Sequence, residues 1–147
     1  MIVVATEEEY NIALKRFKGA HIVKTGVGGI NTYRALKNFD RGQKIVNFGY
    51  VGSNAIPIGT EVTVGECKLY HPSVEYEEPV FKLKGEFPCY TSNDFVTHTN
   101  IQTPVVFDME LAYILAMGFK DVESIKIVSD NLSLKEYDKT IKENVND

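Results

Sequence analysis

The 147-residue chain has no tryptophan, two cysteines, three histidines, five prolines and three arginines. Cys67 and Cys89 are too few for a disulfide framework, and neither sits in a C-x-x-C pair or a Cys/His cluster. His21, His71 and His98 are scattered singly, so no zinc site can be read, and no cofactor motif is present. The longest apolar stretch, Leu111 to Phe119, falls far short of the roughly 20 residues of a membrane span. Met1 to Ala5 runs straight into Thr6 and three glutamates, without the basic and long apolar regions of a signal peptide. Positive charge is also scarce: 16 basic against 20 acidic side chains leave a net charge of −4, where a nucleic-acid scaffold needs a basic face. These absences exclude nucleic-acid and membrane partners and leave a cytoplasmic, acidic protein as the expectation.

What is present is an ordinary core composition, 44% hydrophobic, at a length that fits one domain over residues 1–147. Short apolar runs alternate with helical patterns, which points to an α/β fold: a central mixed, twisted sheet flanked by helices. Ile2 to Ala5 reads as a buried strand. Thr6 is placed to cap a helix that Gly19 ends. His21 to Thr25 is a second strand, Gly26-Val27-Gly28-Gly29 a turn, Ile30 to Phe39 a helix, and Lys44 to Phe48 a third strand entering a turn-rich loop at Gly49 to Asn54. Thr60 to Tyr70 and Val80 to Leu83 alternate apolar with polar residues, as half-exposed strands do. The acidic segment His71 to Pro79 between them is expected to be a surface loop, with His71 and His98 lacking partners. Pro88 to Thr91, Val105 to Phe107 and Ser124 to Val128 read as further strands. A helix spans Met109 to Met117, and another begins near Leu134 behind the capping pair Ser133 and Glu136.

In open α/β sheets, ligands bind beyond the carboxyl ends of the strands. Three strand ends here deliver carboxylates: Glu7 to Glu9, Asp108 with Glu110, and Asp130. Two deliver glycines, and if the strands are parallel neighbours all five ends converge on one rim. Each feature also has a structural explanation. Thr6-x-x-Glu9 is a capping box, acidic first turns suit a helix dipole, Met109 fits a core, and Phe95 fits a core plug as well as a base-stacking ring. Asp130 is harder to explain structurally, because Ser133 already supplies a cap. A carboxyl directly after a buried strand is often desolvated, which suits it to acid catalysis. The glycine turn lacks the third glycine of a dinucleotide fingerprint, and no phosphate-binding P-loop is present.

Taken in order, several segments resemble the nucleoside phosphorylase superfamily, and within it the 5′-methylthioadenosine/S-adenosylhomocysteine nucleosidases in shortened form. They are Glu7-Glu8-Glu9, Thr25-Gly26-Val27-Gly28-Gly29, Asn47 to Ser53, Ile58 to Val64, Ser92 to Val96, Asp108-Met109-Glu110 and Ser129-Asp130. The resemblance spans nearly the whole chain. It implies hydrolysis of the N-glycosidic bond of a purine nucleoside, with no cofactor. Glu9 would activate the attacking water, and Asp130, after Ser129, would protonate N7 of the purine. Phe95 would stack on the base and the Val96 backbone would read its edge. Met109 would pack beside the ribose and Glu110 would hold its hydroxyls, with Gly49 and Tyr50 forming the ribose side of the pocket.

The resemblance also leaves choices. Superfamily phosphorylases hold phosphate with arginines, one just before the glycine turn of the third strand. Here that position is Asn47, and Arg16, Arg34 and Arg41 fall in no matching motif. That favours water as the nucleophile. A phosphorylase using other donors, or a non-catalytic nucleoside-binding module, are the alternatives. Tyr50 and Ser53 stand where the family has small residues, Glu61 where it has Asp, and the chain is shorter between Tyr70 and Phe87 and at its C-terminus. A homodimer is expected from the family, with Leu111 to Leu115 serving either as core or as interface.

Overall fold

Three consecutive apolar residues with no polar face make a strand buried on both sides, β1 (Ile2–Val4). Thr6 then halts the strand and starts α1 (Glu7–Arg16). Its hydroxyl accepts the Glu9 N–H at 3.1 Å, while Glu9 Oε1 accepts the Thr6 N–H at 3.1 Å. A cap of this kind stabilises a helix by about 1 kcal/mol. The chain continues through β2 (Ile22–Lys24), α2 (Gly29–Leu36), β3 (Lys44–Ser53), β4 (Glu61–Leu69), β5 (Phe81–Lys82), β6 (Phe87–Thr91) and β7 (Val106–Asp108). It ends with α3 (Leu111–Ala116), β8 (Asp121–Asp130) and α4 (Leu134–Val145). This computed structural model describes residues 1–74 and 76–145. Among them no helix is long and apolar enough to cross a membrane.

β1 lies between β2 and β3, all parallel, and β8 runs parallel along the other edge of β3. From β8 the pairing passes antiparallel to β4, parallel to β6, parallel to β7, and antiparallel back to β3. The strands β3, β8, β4, β6 and β7 therefore close into a small barrel, with β1 and β2 extending from it and β5 flanking β4. Closure leaves few free strand edges.

Alternation along β4 explains its place in the barrel wall: Val62 and Val64 are buried while Glu61 and Thr63 are exposed. Those valines join Val51, Cys67, Cys89, Val106 and Val128 in the barrel interior, with Leu111 and Ala112 packed against them. Leu36, Ile45 and Ile114 form a second apolar cluster beside α2 and α3, and Ala13 and Phe48 a third beneath α1. The apolar helix α3 is thus core, since Leu111, Ala112 and Ile114 are all buried.

Three expectations change. β3 does not end at Phe48 but continues through Gly49, Tyr50, Val51 and Gly52, because β8 pairs with it as far as Gly52 opposite Asp130, across an irregularity after Val51. The five strand ends do not all point one way: β7 runs antiparallel to β3 and reaches the rim from the opposite direction. His71 is not alone, since its Nε2 lies 2.7 Å from Glu78 Oε1 and its ring stands edge-on to Tyr76.

Candidate active site

The parallel strands β1, β3 and β8 bring their carboxyl ends to one rim, where an open cleft lies. Eight of the nine residues expected there line it: Glu9, Tyr50, Phe95, Val96, Met109, Glu110, Ser129 and Asp130. Gly49 does not. It lies behind Glu9, where its missing side chain leaves room for the carboxylate, since a Cβ would stand 2.5 Å from Glu9 Oε2.

Glu9 fills the capping role read for it and also lines the cavity. Oε1 completes the helix cap and also accepts the Ala5 N–H at 2.8 Å, while Oε2 accepts the Tyr50 N–H at 2.8 Å. Burial lifts the proton affinity of this carboxyl. The amides of Tyr50 and Ala5, the charge of Lys126 and the Thr6 amide pull the other way, and burial prevails. Asp130 is fully buried at the end of β8. Its Oδ1 accepts the Ser129 hydroxyl at 2.7 Å, and its Oδ2 accepts the N–H groups of Leu132 at 3.0 Å and Ser133 at 3.3 Å. Burial raises its pKa as well, against the opposing pull of those donors. Ser133 Oγ caps Glu136 as expected, but Glu136 reaches back to the Asn131 N–H rather than to Ser133, whose N–H belongs to Asp130.

Glu110 starts α3 without capping it and turns its side chain to the glycine turn, accepting the Gly28 N–H at 2.8 Å. Burial and the adjacent charge of Asp108 push its pKa up to about 8. Phe95 lies edge-on to Tyr137 of α4, with ring centroids 5.8 Å apart, and Tyr137 also faces the cavity.

Two buried residues complete the electrostatics: Asp108, already expected at a strand end, and Lys126, which no motif in the sequence marks. Lys126 of β8 is 2% exposed, with Nζ 3.3 Å from Oδ2 of Asp108, itself 5% exposed. Asp108 also accepts from Thr91 Oγ1 at 2.6 Å, from the Leu111 N–H at 2.8 Å and from Cys89 Sγ at 3.4 Å. Burial opposes the charge on Lys126, but Asp108, Cys89, Glu110 and Glu9 outweigh it and hold the ammonium above its ordinary pKa. Lys126 shares one face of β8 with Ser124 and Val128, two residues to either side, and all three are buried.

None of the three arginines lines the cavity. Arg16 pairs with Glu61, and Arg41 donates to the carbonyls of Met117, Lys37 and Phe39. Arg34 lies in the last turn of α2. Asn47 is buried in β3 and accepts from Ser124 Oγ at 2.9 Å. Among the described residues no group of three His, Cys, Asp or Glu side chains is gathered as a metal site requires.

No protein-family model matches the chain, and no curated protein matches it. Solved structures do. The MTAN nucleosidase of Chlamydia trachomatis bound to MTA superposes with a TM-score of 0.78 at 16% identity, over 97% of this chain and 87% of that one. The S-adenosylhomocysteine nucleosidase of Streptococcus pyogenes, in complex with 5-methylthiotubericidin, gives 0.75 at 18% identity over 97% and 89%. A futalosine hydrolase mutant of Helicobacter pylori gives 0.76 at 13% identity over 97% and 91%. The chain therefore has the fold of the 5′-methylthioadenosine/S-adenosylhomocysteine nucleosidases and of futalosine hydrolase.

Proposed function

We propose that the protein is a purine nucleosidase, hydrolysing the N-glycosidic bond of methylthioadenosine, adenosylhomocysteine or a related nucleoside to free base and sugar. The observation that carries this reading is the pair Glu9 and Asp130: two carboxyls from different elements, both facing one cavity and both held at raised proton affinity by burial. Cleavage of the bond develops positive charge on the sugar, as in glycoside hydrolysis, and the purine leaves readily only when N7 gains a proton. Asp130, whose proton affinity burial raises, supplies that proton, and Ser129 orients it. Water adds to C1′ as the bond to the base breaks, and its proton passes to Glu9, whose geometry the Tyr50 amide fixes. Glu110 accepts the ribose hydroxyls, which become better donors as the sugar turns cationic, so the interaction strengthens in the transition state. Phe95 stacks on the base, the Val96 backbone reads its edge and Met109 packs against the ribose. Gly49 contributes by the room it leaves for Glu9.

Water rather than phosphate is the nucleophile in this reading, because no guanidinium reaches the cavity. The substrate group includes futalosine-like nucleosides, given the Helicobacter pylori neighbour. One domain over residues 1–147, a cytoplasmic location in keeping with two free buried thiols, and a homodimer belong to the same reading. With α3 buried, the surface for the second copy is the outer face of α2, where Ile30 is 78% and Tyr33 56% exposed.

The test is incubation with methylthioadenosine, adenosylhomocysteine, adenosine, inosine and futalosine, with and without phosphate, followed by chromatography for free base. Release without phosphate is expected. Strict phosphate dependence would make it a phosphorylase, and tight binding without release a nucleoside sensor.

A further inference from the structure

Asp130 ends β8, and the turn that follows it has an unusual backbone. Leu132 has φ +65°, and among the described residues it is the one non-glycine with a positive φ. That left-handed turn aims the Leu132 N–H at Oδ2 of Asp130, at 3.0 Å, and the Ser133 N–H follows at 3.3 Å. A bulky residue keeps such a conformation only where its surroundings over-determine it. Here the constraint comes from Asn131. Its Nδ2 donates to two main-chain carbonyls, Ser53 at 3.1 Å and Ile56 at 2.9 Å. Its own N–H goes the other way, to Glu136 Oε1 of α4 at 3.0 Å.

The carbonyls that receive Asn131 belong to a turn after β3 that is itself fixed. Ser53 Oγ donates to the Val105 carbonyl at 2.7 Å and accepts the N–H groups of Ile56 at 3.0 Å and Ala55 at 3.3 Å. Ser53 is fully buried, and Ile56 packs in the barrel core. The Ser53 hydroxyl thus holds the turn, the turn holds Asn131, and Asn131 holds the loop that carries the amides. Asn131 itself does not line the cavity, so whatever it does for the reaction passes through Asp130. Burial raises the pKa of Asp130, while the Ser129 hydroxyl and then the amides of Ser133 and Leu132 pull it back. Releasing the two amides would raise it further, and the alkaline limb of the rate, where the acid loses its proton, would move to higher pH.

Resting on the nucleosidase reading, we infer that Asn131 is a positioning residue for the acid step: by tying the left-handed turn at Leu132 to the barrel, it keeps two backbone amides on Oδ2 of Asp130 and so fixes the orientation of that carboxyl. The test is Asn131→Ala, made in the wild type and in Asp130→Asn, with the best of the five nucleosides named above as substrate. In the wild type it is expected to lower kcat about tenfold or more with KM nearly unchanged, and to move the alkaline limb of kcat to higher pH. In Asp130→Asn, which has no proton to position, the same substitution is expected to leave the residual rate within about twofold. Equal losses in both backgrounds would make Asn131 merely structural and overturn the inference. So would a wild-type kcat in Asn131→Ala, or a loss that leaves the alkaline limb where it was. In each of those cases the wild type still frees base and the nucleosidase reading stands. A wild type that frees base from none of the nucleosides removes that reading itself, and the inference with it.

Discussion

Gly49 of β3 lies against the carboxylate of Glu9 so closely that a Cβ at that position would stand 2.5 Å from Oε2 and 3.0 Å from Cδ. Gly52 bears the same relation to Asp130, at 2.9 Å from Oδ2. Neither glycine has a positive φ. They are small because a proposed catalytic carboxyl lies over each, and β3 runs on as a strand beneath both. Gly49→Ala is therefore expected to fold but to displace Glu9, and a shift of about 1 Å at a reacting group costs on the order of 10²-fold in rate. Steady-state kinetics on the best substrate should show that loss chiefly in kcat, and a kcat within twofold of wild type would contradict the relationship.

Asp130→Asn separates the acid from its scaffold. The asparagine oxygen can still accept the Leu132 and Ser133 amides, and its NH₂ can donate to Ser129 Oγ, so thermal unfolding should stay close to wild type. With no proton to give, the variant should lose about 10²- to 10⁴-fold in kcat. A nucleoside whose base leaves without N7 protonation should be much less affected. An unchanged rate on a purine substrate would remove Asp130 from the acid role.

Lys126 and Asp108 form an ion pair with almost no solvent contact, 3.3 Å apart, with Asp108 in the cavity wall. Lys126→Met leaves the Asp108 carboxylate buried with only neutral donors, Thr91, Leu111 and Cys89, which is expected to cost about 3–5 kcal/mol. The double variant Lys126→Met with Asp108→Asn should recover most of that, because no unpaired charge remains. Lys126 also helps to keep Glu9 ionised. Any activity left in the double variant should therefore need a higher pH on its acid limb. Calorimetry of the two variants decides the first point: equal stabilities would mean that the pair is not coupled.

The two proposed catalytic carboxyls were legible because each follows a short apolar run at a strand end, where the rules for open sheets look first. Phe95, Met109 and Glu110 were legible through their order along the chain. Lys126 was not, since in Ile125-Lys126-Ile127 an alternating strand with one polar residue reads as half-exposed. Only the closure of β8 against β4 turns that face into an interior. Barrel closure depends on pairings between residues more than 60 positions apart, Glu61 with Ile127 and Lys44 with Asp121, and no local pattern encodes them. The continuation of β3 past Phe48 was hidden for a related reason. Glycine signals a turn by its backbone freedom, whereas here it answers a need for space that only the tertiary structure creates. Tyr137 reads as an ordinary residue of an amphipathic helix until α4 is seen to cover the cavity.

Glu110 ties the site to the pH dependence of stability. Its carboxyl is pushed from an ordinary 4.5 up to about 8, first by burial and then by Asp108. The folded protein therefore holds a proton on Glu110 between these values that the unfolded chain has already released. Stability depends on pH through the difference in bound protons, so this contribution is fully present below about pH 4.5, declines as pH rises toward 8, and is spent above it. Glu9 and Asp130, also raised by burial, act in the same direction. The melting temperature of the wild type is expected to fall from pH 5 to pH 8. Glu110→Gln, which keeps an oxygen for the Gly28 amide but cannot ionise, should flatten that decline and melt higher than wild type at pH 8 by on the order of a few degrees. The same variant should lose activity, because its amide cannot ionise as positive charge develops on the sugar beside it. Melting curves for both proteins across that pH range provide the check. A Gln variant with the wild-type slope would mean that the Glu110 carboxyl is already ionised in the fold at pH 5.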